Sequence, residues 1–248
     1  HMINYVTYIK DTIGNNYLGI KFDKGTVEPF LNQLKDIIGE KDFENFTNNQ
    51  QTRDKGSYHL TVINVMDYNK LSKELGMDKF VSSLDAIFKY EIDDLKLMGV
   101  GTAERNTNRA YFIVCQSDKL DAIRNRYGLG QHDFHITLGF NHKDVFGVRK
   151  NEVLKKEGKF LKLLKQEFYK NDNWNFIRRI ENFQSDPKSE IIPVSITDSH
   201  LKVKCDGYYM DIGYLEDGEK FWIVTKYPIE EDLPRMSETE IAKKLNKN

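Results

Sequence analysis

Two four-residue segments of this 248-residue chain share one pattern: residues 59–62 (HLTV) and 135–138 (HITL). Each reads histidine, apolar residue, threonine, apolar residue. On a β-strand alternate side chains share a face, so the histidine and the threonine would point one way while the apolar pair enters the core. An imidazole accepts or donates a proton, and a hydroxyl hydrogen-bonds a non-bridging phosphate oxygen. The two segments therefore predict acid–base chemistry at a phosphate group.

Either segment alone is typical of an ordinary strand, since threonine favours strands and a histidine is common on an exposed strand face. The two segments, however, occur at matching places in two similar runs of predicted elements. Each run has a strand, a helix and then the strand that carries the motif. The runs are 16–22, 26–38 and 58–65 in the first half, and 109–115, 117–127 and 134–140 in the second. This repetition predicts that both motifs contribute to one site.

Two HxTx tetrapeptides about 76 residues apart are the signature of the 2H phosphoesterases, the superfamily of LigT-like proteins and cyclic phosphodiesterases, and residues 16–142 resemble that family. The resemblance implies an α+β fold of two lobes, in which pseudo-twofold antiparallel sheets bring the motif strands to one cleft. It also implies an enzyme that works without a metal or other cofactor. The implied reaction is hydrolysis or transesterification of a nucleotide or RNA phosphodiester: a 2′,3′-cyclic phosphate, a 2′-5′ linkage or a cyclic oligonucleotide.

Carried onto this sequence, the resemblance makes His59 and His135 the acid–base pair, and Thr61 and Thr137 the phosphate-binding hydroxyls. On a 2′,3′-cyclic phosphate, one imidazole would take a proton from the attacking water and the other would protonate the departing ribose oxygen. On a 2′-5′ linkage, the free 3′-hydroxyl would attack instead. The sequence does not assign acid and base, because the pseudo-symmetry treats both histidines alike.

Three further residues are predicted to contact the substrate. Phe140 follows the second histidine by five residues, where some relatives place an aromatic side chain against the nucleobase. Arg109 resembles an arginine that precedes a strand in several members, and Tyr17 on the first strand is a candidate for the cleft wall. Ordinary alternatives stay open for all three: core packing for Phe140 and Tyr17, and a surface charge for Arg109.

Other functions also stay open. The chain could bind a nucleotide or RNA without turnover, or serve as an accessory module of an RNA-repair system. A metal site at His132, His135 and His142 is disfavoured, because the first two would point to opposite faces of a strand and no cysteine or carboxylate cluster completes the set. We therefore expect no metal.

The remaining segments complete a first domain over residues 3–145. Helical patterns cover 68–76 and 78–89, and a strand covers 95–101. Residues 40–57 (EKDFENFTNNQQTRDKGS) contain few apolar side chains, and we predict a long mobile loop there.

The composition changes near residue 143, and we predict a smaller C-terminal α+β domain over 146–248. Its first element is an amphipathic helix over 151–170. The pair Asp217-Gly218 predicts a hairpin, and Ser237 with Glu240 a capping box for a last helix. The predicted strands are 191–196, 200–205, 207–214 and 220–227.

The overall charge argues against one class of partner. Lysine and arginine total 37 and aspartate and glutamate total 38, which gives a net charge of −1. A protein that coats duplex DNA needs a large basic excess, because its affinity comes from neutralised phosphates. The two cysteines form no CxxC motif, and the sequence shows neither a signal peptide nor a membrane-length apolar run. We therefore expect a cytoplasmic monomer whose partner is a nucleotide or RNA-end substrate.

Overall fold

The computed structural model describes residues 2–156, 158–168, 180–184, 189–214 and 221–245, and the chain divides into two compact units. The first is His1–Leu154 and the second is Lys155–Asn248. The sequence suggested a division after residue 145. The structure keeps 146–154 with the first unit, because the backbone NH of Leu154 donates to the carbonyl of Val100 at 2.7 Å.

The first unit contains a six-stranded antiparallel sheet. Its strands are β1 (Thr7–Lys10), β2 (Asn16–Phe22), β3 (Tyr58–Ile63), β4 (Lys96–Arg105), β5 (Asn108–Gln116) and β6 (His135–Phe140). They lie in the order β1-β2-β3-β6-β5-β4. The two motif strands, β3 and β6, are neighbours at the centre of the sheet. Each is the innermost strand of a three-stranded half.

Five helices of the first unit connect these strands: α1 (Lys24–Ile38), α2 (Glu40–Asp54), α3 (Val65–Leu75), α4 (Met77–Lys89) and α5 (Asp118–Arg126). Helices α1 and α2 join β2 to β3, and α5 joins β5 to β6 in the other half. Side-chain caps start several of them; Ser117, for example, accepts from the NH of Leu120 at the start of α5. The α+β fold class and the pseudo-twofold halves are confirmed.

The two motifs meet at the centre of the sheet. Leu60 of β3 pairs with Ile136 of β6 in antiparallel register, and both side chains are fully buried. Counting outward from this pair places His59 opposite Thr137, and Thr61 opposite His135, on the other face of the sheet. The alternation that was read from the sequence therefore sends the apolar pair to the core and the four polar side chains to one surface.

The predicted loop over 40–57 is wrong, since most of it forms the helix α2. The apolar pattern of the sequence did not predict this helix, because polar side chains make many of its contacts with the rest of the unit. Gln50 is fully buried, and the amide of Asn49 donates to the carbonyls of Phe140 and Asn141 at 2.8 and 2.7 Å. The backbone of Phe46 lies so close to Gly139 that an added Cβ would come within 2.8 Å of it.

The second unit pairs a four-stranded antiparallel sheet with helices. Its elements are α6 (Lys159–Phe168), β7 (Ile192–Ile196), β8 (His200–Cys205), β9 (Tyr208–Tyr214), β10 (Phe221–Pro228) and α7 (Glu238–Leu245), with strand order β10-β9-β8-β7. Its core includes Phe160, Leu164 and Ile212. Ser237 accepts from the NH of Glu240, as predicted for the last helix.

The predicted helix over 151–170 begins only at Lys159, because the residues around Leu154 run along β4 instead. The Asp217-Gly218 hairpin lies outside the described residues. Among the helices that the structure describes, none is both long and apolar enough to cross a membrane.

Replacing Gly139 by alanine should loosen the contact between β6 and α2. The new Cβ meets backbone atoms of Phe46, which cannot rotate away, so we expect a loss of about 1–3 kcal/mol in the free energy of unfolding. Urea denaturation followed by circular dichroism measures this loss. Gly130→Ala is the matched control, because no heavy atom lies within 4 Å of its added Cβ. Equal stability of the two variants would contradict the close approach of α2.

Candidate active site

A cleft with a volume of about 1010 Å³ lies over the centre of the first unit's sheet. All four motif side chains line it: His59, Thr61, His135 and Thr137. The structure thus brings together the residues that the paired motifs singled out. Both histidines and Thr61 are partly buried, and Thr137 is 7% exposed.

The three additional predicted contacts have different positions. Tyr17 lines the cleft. Phe140 does not; it is 5% exposed and packs in an apolar cluster with Phe112 and Val145. Arg109 is also absent from the lining and instead pairs with Glu104 at 2.6 Å on the surface. For Phe140 and Arg109 the structure therefore shows the core and surface positions that were the alternatives to substrate contact.

His135 is held in one tautomer. Its Nδ1 lies 2.7 Å from the backbone carbonyl of Asp133, and since a carbonyl only accepts, Nδ1 carries the hydrogen. This leaves the lone pair on Nε2, where the ammonium of Lys150 is 3.5 Å away. Burial lowers the pKa of His135 to about 4, and the charge of Lys150 acts in the same direction. The imidazole is therefore neutral at physiological pH and able to accept a proton at Nε2.

His59 has a different neighbour. Its Nε2 lies 3.2 Å from the hydroxyl of Tyr17. Burial lowers the pKa of His59, while the carboxylate of Asp54 opposes this shift. Burial also raises the pKa of Tyr17 to about 12, so its hydroxyl keeps its proton across the pH range in which histidines titrate. The two imidazoles thus share a cleft but differ in environment.

Three charged residues outside the predicted site, Arg53, Asp144 and Lys150, line the cleft and contact one another. The carboxylate of Asp144 has a side chain only 5% exposed, and it pairs with Lys150 at 3.4 Å and with a terminal nitrogen of Arg53. It also accepts from the hydroxyl of Thr137 at 3.3 Å. Although burial raises the pKa of Asp144, the charges of Lys150 and Arg53 outweigh burial and lower it. Arg53 is bound in addition by both oxygens of Asp54, at 2.9 Å each.

Sequence patterns gave Arg53 and Asp144 no distinguishing signal, and for Lys150 they favoured a solvated surface over contact with a phosphodiester. Arg53 lies in the segment predicted to be a loop. Lys150 follows another basic residue in a chain with 37 lysines and arginines, and such a pair is typical of a solvated surface. The lysine is instead 5% exposed, between the rings of Phe112 and Phe146. The pairing of Asp144 with Arg53 joins residues 91 positions apart, so no local sequence pattern predicts it.

Among the groups that line the cleft are the two neutral motif imidazoles, the two motif hydroxyls and the paired cations Arg53 and Lys150. Such a set can move protons and hold an anionic oxygen. Within the part of the chain that the structure describes, no three His, Cys, Asp or Glu side chains are grouped closely enough to hold a metal ion together.

Comparison with known protein families identifies a related domain. The family model described as "Swiss Army Knife, 2H phosphoesterase domain" matches residues 17–146, slightly more than half of the chain. No curated protein and no solved structure matches the chain. The matched segment contains both HxTx motifs, Arg53 and Asp144, and it ends before Lys150.

Replacing Asp144 by asparagine should destabilise the first unit, because Lys150 then keeps a buried charge without a carboxylate. We expect a loss of about 3 kcal/mol in the free energy of unfolding, the lower end of the cost of breaking a buried pair, since Arg53 retains Asp54. Urea denaturation at neutral pH measures it. The lowered pKa of Asp144 means that this contribution is present above the ordinary carboxyl pKa of 3.8 and is lost as the pH falls below it.

Glu104→Gln is the matched control, because the Glu104–Arg109 pair is 59% and 45% exposed. An exposed pair contributes less than about 1 kcal/mol. If Asp144→Asn were no more costly than Glu104→Gln, the shared carboxylate would not be a structural centre of the cleft.

Proposed function

The chain belongs to the 2H phosphoesterase family, and from that premise we propose that it is a phosphodiesterase that cleaves a nucleotide or RNA phosphodiester by acid–base catalysis between His59 and His135. The observation that carries the proposal is the position of both imidazoles and both motif hydroxyls on the wall of one cleft. The proposed substrates are a 2′,3′-cyclic phosphate, a 2′-5′ linkage or a cyclic oligonucleotide. The proposed reaction uses protein side chains and needs no metal.

On a 2′,3′-cyclic phosphate, water attacks the phosphorus in line with the ribose oxygen that leaves. One imidazole takes the proton of the attacking water, and the other, protonated, gives its proton to the departing oxygen. The bond from phosphorus to that oxygen breaks, and a phosphomonoester with a free hydroxyl remains. On a 2′-5′ linkage, the 3′-hydroxyl attacks in place of water, and the products are a 2′,3′-cyclic phosphate and a free 5′-hydroxyl.

The hydroxyls of Thr61 and Thr137 stabilise the charge on the non-bridging oxygens during the reaction. They lie one on each central strand, across from His135 and His59, so a phosphate between the imidazoles has a donor on either side. In the substrate-free protein Thr137 donates to Asp144 instead. A bound phosphate oxygen therefore competes with this carboxylate for the same proton.

The charge of the chain bears on the size of the substrate. A net charge of −1 gives no general attraction to a polyanion. Binding must then depend on the cleft alone, and a small nucleotide or the end of an RNA fits such a site better than a long duplex. We propose accordingly that the protein acts as a monomer on small or terminal substrates in the cytoplasm, without a membrane partner.

Removal of either imidazole should abolish most of the activity. We expect His59→Ala and His135→Ala each to lower kcat by at least about 100-fold, the usual contribution of one acid–base group. Turnover is followed by chromatography on 2′,3′-cyclic nucleotides, 2′-5′ oligoadenylate, cyclic oligonucleotides and RNA ending in a cyclic phosphate. His142→Ala is the control, because His142 is exposed and outside the cleft lining.

The same panel is run with EDTA, in which the wild-type protein should stay active. Loss of turnover in EDTA that a divalent cation restores would contradict the mechanism. Binding of a substrate with no turnover by the wild-type protein would favour the non-catalytic alternative.

The pH dependence of kcat/KM should be bell-shaped with its maximum below pH 6.5. The reaction needs one imidazole neutral and the other protonated. Burial lowers the pKa of His135 to about 4 and lowers that of His59 below the ordinary value of 6.5. Activity is then lost at low pH as the base is protonated, and lost again above the second pKa as the acid is deprotonated. A profile measured from about pH 4 to 9 that stayed flat above pH 6.5 would show that these histidines are not the pair.

A further inference from the structure

We propose that Lys150 is an additional catalytic residue: its ammonium binds a non-bridging oxygen of the substrate phosphate next to His135 and is held ready for this by Asp144. This inference rests on the proposed phosphodiesterase function and adds a residue to it. Lys150 lies outside both motifs and after the segment that the family model matches.

The burial of Lys150 needs a reason, since a buried ammonium loses its hydration. The side chain is 6% exposed, yet Lys150 lines the open cleft. Its two polar contacts are long, 3.4 Å to Asp144 and 3.5 Å to Nε2 of His135. A well-formed hydrogen bond from an ammonium to a carboxylate measures about 2.7–2.9 Å. The ammonium is therefore only loosely bound in the substrate-free protein, between the carboxylate and the atom that would exchange the reacting proton.

Asp144 can release Lys150 without becoming an unpaired buried charge. One of its oxygens contacts Arg53 and Thr137, and the other accepts from the backbone NH of Val145 at 2.8 Å as well as from Lys150. If Lys150 turns toward a phosphate oxygen, the carboxylate keeps Arg53 and the NH. The ammonium of Lys150 can therefore move from Asp144 to a phosphate oxygen without leaving the carboxylate unpaired.

The position of Lys150 also distinguishes the two halves of the cleft. The pseudo-twofold halves supply equivalent histidines and threonines. Beside Nε2 of His59 the structure places the neutral hydroxyl of Tyr17, whereas beside Nε2 of His135 it places a positive charge. A phosphate between the imidazoles therefore meets the ammonium of Lys150 on the His135 side, while Arg53 acts on His59 from the end of α2.

The charge environment of His135 makes the inference measurable. From the segment after β6, Lys150 lowers the pKa of His135 and Asp144 raises it. From the segment before β6, the carbonyl of Asp133 raises the pKa of His135 and His132 lowers it. The side-chain carboxylate of Asp133 accepts a hydrogen bond from Arg149. The packed ring of Phe112, from β5, carries no charge. Among these groups Lys150 has the largest electrostatic effect, so its removal should raise the pKa of His135.

The test compares Lys150→Met, Lys150→Arg and the control Lys79→Met, whose side chain is exposed on α4. For the best substrate of the panel, we expect Lys150→Met to lower kcat/KM by about 100- to 1000-fold, as for loss of one donor to a developing oxyanion. Lys150→Arg, which keeps the charge, should lose less than about tenfold, and Lys79→Met should match the wild type.

The pH profile separates catalysis from a structural role. In Lys150→Met the limb that reports His135 should move to higher pH, and in Lys150→Arg it should stay. A lysine that only lowers the pKa of His135 would move the limb but leave kcat/KM at the shifted optimum equal to that of the wild type, whereas loss of a phosphate contact leaves a deficit at that optimum. If Lys150→Met does not fold, Lys150→Gln, which keeps a donor for Asp144, is measured in the same way. A kcat/KM for Lys150→Met within threefold of the wild-type value, each measured at its own pH optimum, would overturn the proposal.

Failure of the proposed function itself gives a different result. If the wild-type protein turned over none of the substrates, the phosphodiesterase proposal would fail. Binding of inorganic phosphate would still test whether Lys150 contacts a phosphate oxygen. The signals of His135 are followed by NMR while phosphate is added. We expect at least tenfold weaker binding in Lys150→Met and less than threefold weaker binding in Lys150→Arg. Equal affinities in all three proteins would show that Lys150 does not contact phosphate.

Discussion

The antiparallel pairing of Leu60 with Ile136 is the constraint on which the cleft depends. Because side chains alternate along a strand, this one register sends both apolar partners to the core and both histidines to the opposite face. A shift by a single residue would bury the imidazoles and expose the apolar side chains. The last residues of the two motifs, Val62 and Leu138, are fully buried as well, so the apolar core fixes the register and the register places the four polar motif side chains.

The polar cleft is stable because its charges are supplied in pairs. Two cations and two carboxylates, Arg53, Lys150, Asp54 and Asp144, offset one another beside the motif strands. Burial alone would favour neutral forms of all of them. Their mutual attraction keeps Asp144 ionised, while the two histidines, which lack an equally close carboxylate, stay neutral. The cleft thus combines charged groups with uncharged imidazoles. The charged groups have partners of opposite charge, and the imidazoles have none among the residues that the structure describes.

Alternation and apolar periodicity made much of the fold predictable, and the motif pair made its centre predictable. The same signals failed where contacts are polar and distant. Helix α2 looked like a loop because Gln50 and Asn49 hold it through amide hydrogen bonds, which leave no periodic apolar stripe. Lys150 looked solvated because its burial depends on the ring of Phe112, 38 positions earlier in the chain. The family resemblance made Phe140 a candidate for substrate contact with core packing as the alternative, and its position on β6 places it in the core.

The differences between the two halves arise outside the repeated strands. In the first half, α1 and α2 replace the single helix of the second half, and the end of α2 contributes Arg53 to the cleft. In the second half, the segment after β6 returns along the cleft and contributes Asp144 and Lys150. The strands alone would leave the histidines equivalent and a bound phosphodiester free to lie in either direction. The added segments remove that equivalence, because they bring Arg53 and Lys150 from unrelated parts of the chain to one shared carboxylate, Asp144.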